Sequence, residues 1–194
     1  MIIATAGHVD HGKTKLIEAI TGVNSDRLPE EKNRGMSIDL GFAYHDLGNG
    51  VILNFIDVPG HERFINNLLS GFSNVDLSLL VIAADDGPMP QTEEHLSILQ
   101  LLQVKNCIIV LTKIDKVNQK RLDNVCCLIK KMMHKTIFSD AEIFHISNKT
   151  SQGIDNLVSH LKIIALNYHH KEVKGNFRLS VDRRFLVKGA GIVI

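Results

Sequence analysis

Gly7-His8-Val9-Asp10-His11-Gly12-Lys13-Thr14 places two glycines five positions apart and follows the second with a lysine and a hydroxyl residue. The spacing fits the phosphate-binding loop G-x-x-x-x-G-K-[ST]. Its flanks supply the setting the motif needs: an apolar run over 1–6 precedes it, and a helical pattern with Leu16, Ile17 and Ile20 follows. Glycine lets the backbone curl so that successive N–H groups point inward at phosphate oxygens. The helix that starts there adds the positive end of its dipole. In this pattern Lys13 reaches the β- and γ-phosphates and the Thr14 hydroxyl ligates Mg²⁺. The loop and the residue after it, Gly7, His8, Val9, Asp10, His11, Gly12, Lys13, Thr14 and Lys15, form a candidate nucleotide phosphate site. His8 and His11 read as loop residues rather than a metal pair, because no third ligand accompanies them.

The rest of the chain alternates short β-rich runs with helical periodicity, the pattern of an α/β domain on a mostly parallel sheet. Strands are expected over 1–6, 40–46, 51–57, 77–83, 107–112 and 142–147. The second and third are joined by Leu47-Gly48-Asn49-Gly50, the composition of a tight antiparallel hairpin. Apolar stripes at helical spacing follow: Phe64, Ile65, Leu68 and Leu69; Leu96, Leu99 and Leu102; Leu122, Val125, Cys126, Ile129 and Met133; Ile154, Leu157, Val158, Leu161 and Ala165. Those stripes are core faces. Positions 22–39 are polar, charged and without a sustained period, so a long functional loop is expected there.

The chain has 194 residues, enough for one well-cored domain and the beginning of another. A GTP-type nucleotide domain is expected over 1–170, a linker over 171–175, and a strand-forming second unit over 176–194. The last runs, 177–187 and 191–194, read as strands of an all-β unit that continues past position 194. The net charge of +1 creates no global field to draw in a polyanion, so any nucleic-acid contact must be local. No apolar run approaches the ~20 residues that span a bilayer. Cys107, Cys126 and Cys127 lack metal spacing and read as reduced thiols. A cytoplasmic monomer is expected.

Four further stretches fall where a guanine-nucleotide site needs them. Asp57-Val58-Pro59-Gly60-His61 ends the third strand; Asp57 can hold Mg²⁺ through water, and the Gly60 N–H can bond the γ-phosphate. Thr112-Lys113-Ile114-Asp115 follows the fifth strand. Asp115 can accept from the guanine ring N–H and the exocyclic amine, whereas adenine would leave it unpaired. The stem of Lys113 can lie over the base. Ser147-Asn148-Lys149 follows the sixth strand, where a backbone N–H can meet the guanine O6. In the long loop, Arg34-Gly35-Met36-Ser37-Ile38-Asp39 offers Ser37 as a second Mg²⁺ hydroxyl, in a segment that γ-phosphate and metal could order.

With these motifs in place, the chain resembles the translational GTPases. The signatures are His8-Val9-Asp10-His11 and Asp57-Val58-Pro59-Gly60-His61. The stretches Gly22-Val23-Asn24-Ser25-Asp26-Arg27-Leu28-Pro29-Glu30-Glu31-Lys32 and Arg34-Gly35-Met36-Ser37-Ile38-Asp39-Leu40-Gly41-Phe42 resemble the selenocysteine-specific elongation factors, relatives of elongation factor Tu. The resemblance implies an α/β, Ras-like P-loop GTPase domain. Its sheet has six mostly parallel strands in the order 2-3-1-4-5-6, helices on both faces, and translation-type β-barrels behind it. It implies GTP and GDP as substrate and product, Mg²⁺ as cofactor, and His61 as the catalytic residue that positions water between an apolar gate of Val9 and Met36. It also implies selenocysteyl-tRNA and the ribosome as partners, and an mRNA insertion element or its adaptor bound by a domain outside this chain. Asp182 and Arg183 would border the aminoacyl pocket.

Three positions depart from the family pattern. Lys15 stands where Thr or Ser is common, Ser37 where Thr is usual, and Thr112 where most GTPases carry Asn. Another translational GTPase, of the elongation factor Tu or initiation factor 2 γ type, and a non-catalytic GTP-dependent binding module remain as alternatives.

Overall fold

The computed structural model describes residues 1–26, 28–34, 36–48, 50–61, 64–72, 75–168, 185–187, 189 and 191–193. Six strands form one sheet: β1 (Ile2–Ala6), β2 (Gly41–Asp46), β3 (Ile52–Asp57), β4 (Leu77–Ala83), β5 (Cys107–Thr112) and β6 (Ile143–His145). Their order is β2-β3-β1-β4-β5-β6. Only the β2–β3 pair is antiparallel, with Gly41 opposite Asp57 and Asp46 opposite Ile52; β1–β3, β1–β4, β4–β5 and β5–β6 are parallel. The expected strand order and hairpin are therefore observed.

Sequence explains which strand sits where. β4 is LSLLVIA and every residue of it is buried, as a central strand covered on both faces must be. β2 is GFAYHD at the sheet edge and alternates, with Gly41 and Ala43 inside and Phe42 and Tyr44 outside. The period of two divides the β4 side chains between two cores. Leu80 and Ile82 join Leu68, Leu96, Leu99, Val125, Ile129 and Met133 on one face. Leu77, Leu79 and Val81 join Leu16, Ile17, Ile20, Leu157 and Leu161 on the other. The first face is covered by α3 (Ile65–Gly71), α4 (Pro90–Leu101) and α5 (Gln119–Met133), and the second by α1 (Lys13–Thr21) and α6 (Ile154–Asn167). Most of the stripes are buried sides of these helices, with Leu68, Leu96, Leu99, Val125, Ile129, Met133, Leu157 and Leu161 in the core, whereas Leu69 and Leu102, expected there too, are exposed. Among the described residues, no helix is long and apolar enough to cross a membrane.

The segment 22–39 differs from its expectation as an irregular loop. It contains a six-residue helix, α2 (Pro29–Arg34), too short for a hydrophobic period to show in the sequence. Proline opens it, where a missing N–H costs nothing. Glu31 is buried and organises the segment: Oε2 accepts the Leu28 N–H at 2.8 Å, and Oε1 accepts the N–H groups of Ile38 at 2.9 Å and Asp39 at 3.0 Å. The first of these bonds is half of a capping box, satisfying a donor that the helix start would otherwise orphan.

At the far end of the chain, β7 (Phe185–Val187) pairs antiparallel with β8 (Gly191–Val193) in a separate two-stranded sheet. The expected strand begins at 177, but residues 177–184 lie outside the described residues, and so do Asp182 and Arg183.

Gly153 starts α6 in the left-handed region, φ +80°, and a Cβ there would lie 2.2 Å from the His145 carbonyl oxygen. Gly48 has a similar φ of +79° but open space around it. Gly153→Ala should therefore cost roughly 2–5 kcal/mol, adding backbone strain to forced overpacking. Gly48→Ala should cost only the strain, about 1–2 kcal/mol. Urea unfolding of the two variants checks this; equal losses would contradict the clash at Gly153.

Candidate functional site

Every motif lies at the carboxyl edge of the sheet, where an open α/β fold places ligands. Gly7 follows β1, Asp57 ends β3, Asp85 follows β4, Lys113 follows β5 and Ser147 follows β6.

The phosphate loop is fixed from beneath. Gly7 has φ +127°, and a Cβ would meet the Val81 carbonyl oxygen at 2.2 Å, so only glycine fits. Its N–H donates to Nδ1 of His95, buried on α4, at 2.9 Å. Burial pushes the His95 imidazole down to about 3, with Lys13 and His8 adding to the shift. The ring is thus neutral, with a lone pair at Nδ1 for the loop. His95 stands outside every motif of the sequence, and only a contact across 88 positions reveals its place here. His11 is likewise buried and lowered to about 4, by desolvation first, then by His8 and Lys13.

Lys13 lies inside the loop, with Nζ 3.0 Å from the Gly7 carbonyl and 2.9 Å from that of His8. Burial lowers it to about 8, while Asp57 and Asp10 pull the other way. An ammonium has three protons, so one remains for a phosphate oxygen. Gly60 closes in opposite: a Cβ there would sit 2.6 Å from Lys13 Nζ and 2.7 Å from the Val9 nitrogen. The turn after β3 thus presses backbone against the loop.

The structure brings Thr14, Ser37 and Asp57 together. Thr14 Oγ1 donates to Asp57 Oδ2 at 2.6 Å and lies 3.1 Å from Ser37 Oγ. Three residues that sequence reasoning passes over complete this cluster. Ser25 donates to Asp57 Oδ2 at 2.7 Å, Thr5 to Asp57 Oδ1 at 2.9 Å, and Asp26 Oδ1 accepts from Ser37 at 2.9 Å. Burial raises the Asp26 carboxyl, against the Ser37 bond. All of these donors are oxygens, a set that suits a hard cation such as Mg²⁺ completing its shell with water and phosphate. Among the described residues no three His, Cys, Asp or Glu side chains form a metal-binding group.

Loop, cluster and α1 together line a cleft of about 390 Å³, with Val9, Lys13, Thr14, Lys15, Asp26 and Ser37 on its walls. Met36 and Gly60 line it too. His61 does not; its ring meets Phe64 edge-on at 6.3 Å.

The residues proposed for the base sit beside the cleft. Asp115 is exposed, and a bond from Ser147 Oγ, 2.6 Å from Oδ1, holds its carboxyl below the usual range with help from Lys149 and Lys116. Lys113 adopts φ +56°, and its ammonium lies 3.4 Å from Asp85 and 3.6 Å from Asp86. Thr112 Oγ1 donates to the His11 carbonyl at 2.6 Å, and Asn148 Nδ2 to that of Gly12 at 3.3 Å. Those two side chains brace the phosphate loop. Asp10, at φ +63°, and Lys113 are non-glycine residues of these loops in the left-handed region, as are Gln103 and Ser151 elsewhere.

Comparison with known proteins agrees with this geometry. Residues 1–165 match the elongation factor Tu GTP binding domain family. The whole chain is 50% identical to the selenocysteine-specific elongation factor of Escherichia coli (strain K12), covering 31% of that protein. A crystal structure of a bacterial selenocysteine-specific elongation factor, EF-Sec, superposes with a TM-score of 0.87 at 42% identity, over 99% of this chain and 33% of that one. The elongation factor SelB of Methanococcus maripaludis, in complex with the GTP analogue GppNHp, superposes at 0.75 with 28% identity, over 99% of this chain and 40% of that one. The chain thus spans about a third of the length of the curated relatives it matches most fully. By sequence, sheet order and site alike, it belongs to the elongation factor Tu GTP-binding domain family, the translational GTPases.

Proposed function

We propose that this chain is the GTP-binding and GTP-hydrolysing domain of a selenocysteine-specific elongation factor, the protein that delivers selenocysteyl-tRNA to ribosomes at recoded UGA codons. The observation that carries the chemistry is the oxygen cluster of Thr14, Ser37 and Asp57 beside the Lys13 ammonium. The selenocysteine assignment rests on identity to factors of that name across the entire chain. Ribosome, tRNA and an mRNA element or its adaptor are the partners of the whole protein in this proposal.

The phosphates of GTP lie on the loop, where inward N–H groups and Lys13 neutralise them. Thr14, Ser37 and Asp57 would hold Mg²⁺, whose positive charge would offset the charge that develops on the phosphates during transfer. Ser37 directly precedes Ile38 and Asp39, whose N–H groups donate to Glu31, so the fold of the segment on Glu31 helps to set where this hydroxyl stands. Asp115, held ionised by Ser147, takes the two guanine donors, and Lys113, drawn to Asp85 and Asp86, covers the base. His61 positions water for in-line attack once it swings from Phe64 toward the Val9 and Met36 wall of the cleft. Slow intrinsic turnover and stimulation by the ribosome follow from that required movement.

Two outcomes are expected. In competition against a labelled GDP, unlabelled GTP and GDP displace it while ATP is weaker by about a hundredfold or more, and Asp115→Ala abolishes the preference. Equal affinity for ATP would refute the guanine assignment. His61→Ala keeps nucleotide affinity within about twofold but slows ribosome-stimulated, single-turnover hydrolysis by about a hundredfold or more. Weakened binding with unchanged hydrolysis of bound GTP would remove His61 from the mechanism, and no hydrolysis by the unaltered protein would favour a non-catalytic module.

A further inference from the structure

Lys15 follows Thr14 on the first turn of α1 and lines the same cleft as Lys13 and Asp26. Helical side chains lean toward the helix N-terminus, which here is the phosphate loop. The Lys15 side chain is 66% exposed, and its ammonium pairs with Glu18 Oε2 at 2.6 Å. It also acts on the Asp26 carboxylate, the group that holds the Ser37 hydroxyl. The sequence therefore puts a second cation at the cleft, one position beyond the lysine that the motif requires.

The two lysines are in different situations. Lys13 is buried and spends two of its protons on loop carbonyls. Lys15 spends its charge on a solvated carboxylate of its own helix, an i,i+3 pair whose contribution is small and screened by salt. A phosphate chain seated on the loop carries several charges and bonds an ammonium more strongly than one solvated carboxylate does. The stem of Lys15 is long and exposed, so exchanging one anion for the other needs only side-chain rotation.

We propose that Lys15 is an affinity-setting residue of the cleft, whose ammonium exchanges Glu18 for the phosphate chain of the bound nucleotide and so adds one salt-screened ionic contact. The proposal rests on the guanine-nucleotide assignment above and deepens it. Glu18 then acts as a competitor for the cation rather than as a helix-stabilising partner alone. The contact is made to the phosphates shared by GDP and GTP, because Gly60, the residue read for the γ-phosphate, closes on Lys13 and Val9. Discrimination between the two nucleotides is left to Ser37 and Gly60.

Fluorescent GDP and GTP are titrated into the unaltered chain, Lys15→Gln, Glu18→Gln and the double variant, at about 50 mM and about 500 mM KCl. Lys15 is exposed and Glu18 partly so, and matching melting temperatures establish that the variants fold. Lys15→Gln should weaken GDP and GTP alike by about three- to tenfold at low salt, with the difference shrinking at high salt. Glu18→Gln should tighten binding by about twofold where Lys15 is present and change nothing in the Lys15→Gln background. Binding indifferent to Lys15→Gln at low salt, or a Glu18→Gln effect equal in both backgrounds, would overturn the role of Lys15 alone. Failure of the unaltered chain to bind either nucleotide would overturn the guanine assignment and, with it, this proposal.

Discussion

The fully buried carboxylate of Asp57 is the point on which this architecture depends. A buried charge is tolerated only when it is paired and hydrogen-bonded. Here Thr5 reaches it from β1, Thr14 from α1 and Ser25 from the segment before α2, with the Lys13 ammonium close enough to be stabilised by it. One anion at the end of β3 thus ties together the strand before the phosphate loop, the helix after it and the segment most able to change state. Removing that carboxylate would take a hydrogen-bond acceptor from hydroxyls of three separate elements at once.

The same economy joins the two halves of the site. Lys13 and Gly60 meet on one side, while Thr112, at the end of β5, and Asn148, after β6, donate to carbonyls of His11 and Gly12 in the phosphate loop. Asp85 and Asp86 extend the connection: they face Lys113, and Arg121 of α5 donates to both of their carbonyls at 2.8 and 3.0 Å. The segments that follow β5 and β6 and the phosphate loop are therefore positioned against one another by the protein's own contacts. Such preorganisation lowers the ordering cost of binding.

Local patterning made most of the fold legible. Strands such as β4 and β5 are continuous apolar runs whose ends coincide with the expected ones, since burial on both faces leaves no other composition. Glycine spacing and a following lysine identified the loop because backbone geometry demands those residue types. What the sequence hid was long-range or short-lived in pattern. His95 has the same local surroundings as any amphipathic-helix histidine, and only its 88-residue contact with Gly7 gives it a role. The helix Pro29–Arg34 is shorter than two turns, so its apolar period could not show. Glu31, Ser25 and Asp26 stand in a charged, polar stretch, where nothing distinguishes a buried carboxylate from a solvated one until the chain is folded.

The departures from the family pattern acquire physical meaning at this level. Thr112 gives its hydroxyl to His11 of the loop, a contact within reach of a short β-branched side chain whose rotamer is restricted. Ser37 keeps the hydroxyl that meets Thr14 but has lost the methyl that would limit its rotation. Asp26 takes over that restraint by accepting from it. Lys15 in turn bears on Asp26, so two of the three departures meet at one carboxylate. Because Asp26 is only partly buried, it can exchange partners as the segment moves. Ser37 is then held by an interaction that can be exchanged without breaking the bonds of Ile38 and Asp39 to Glu31.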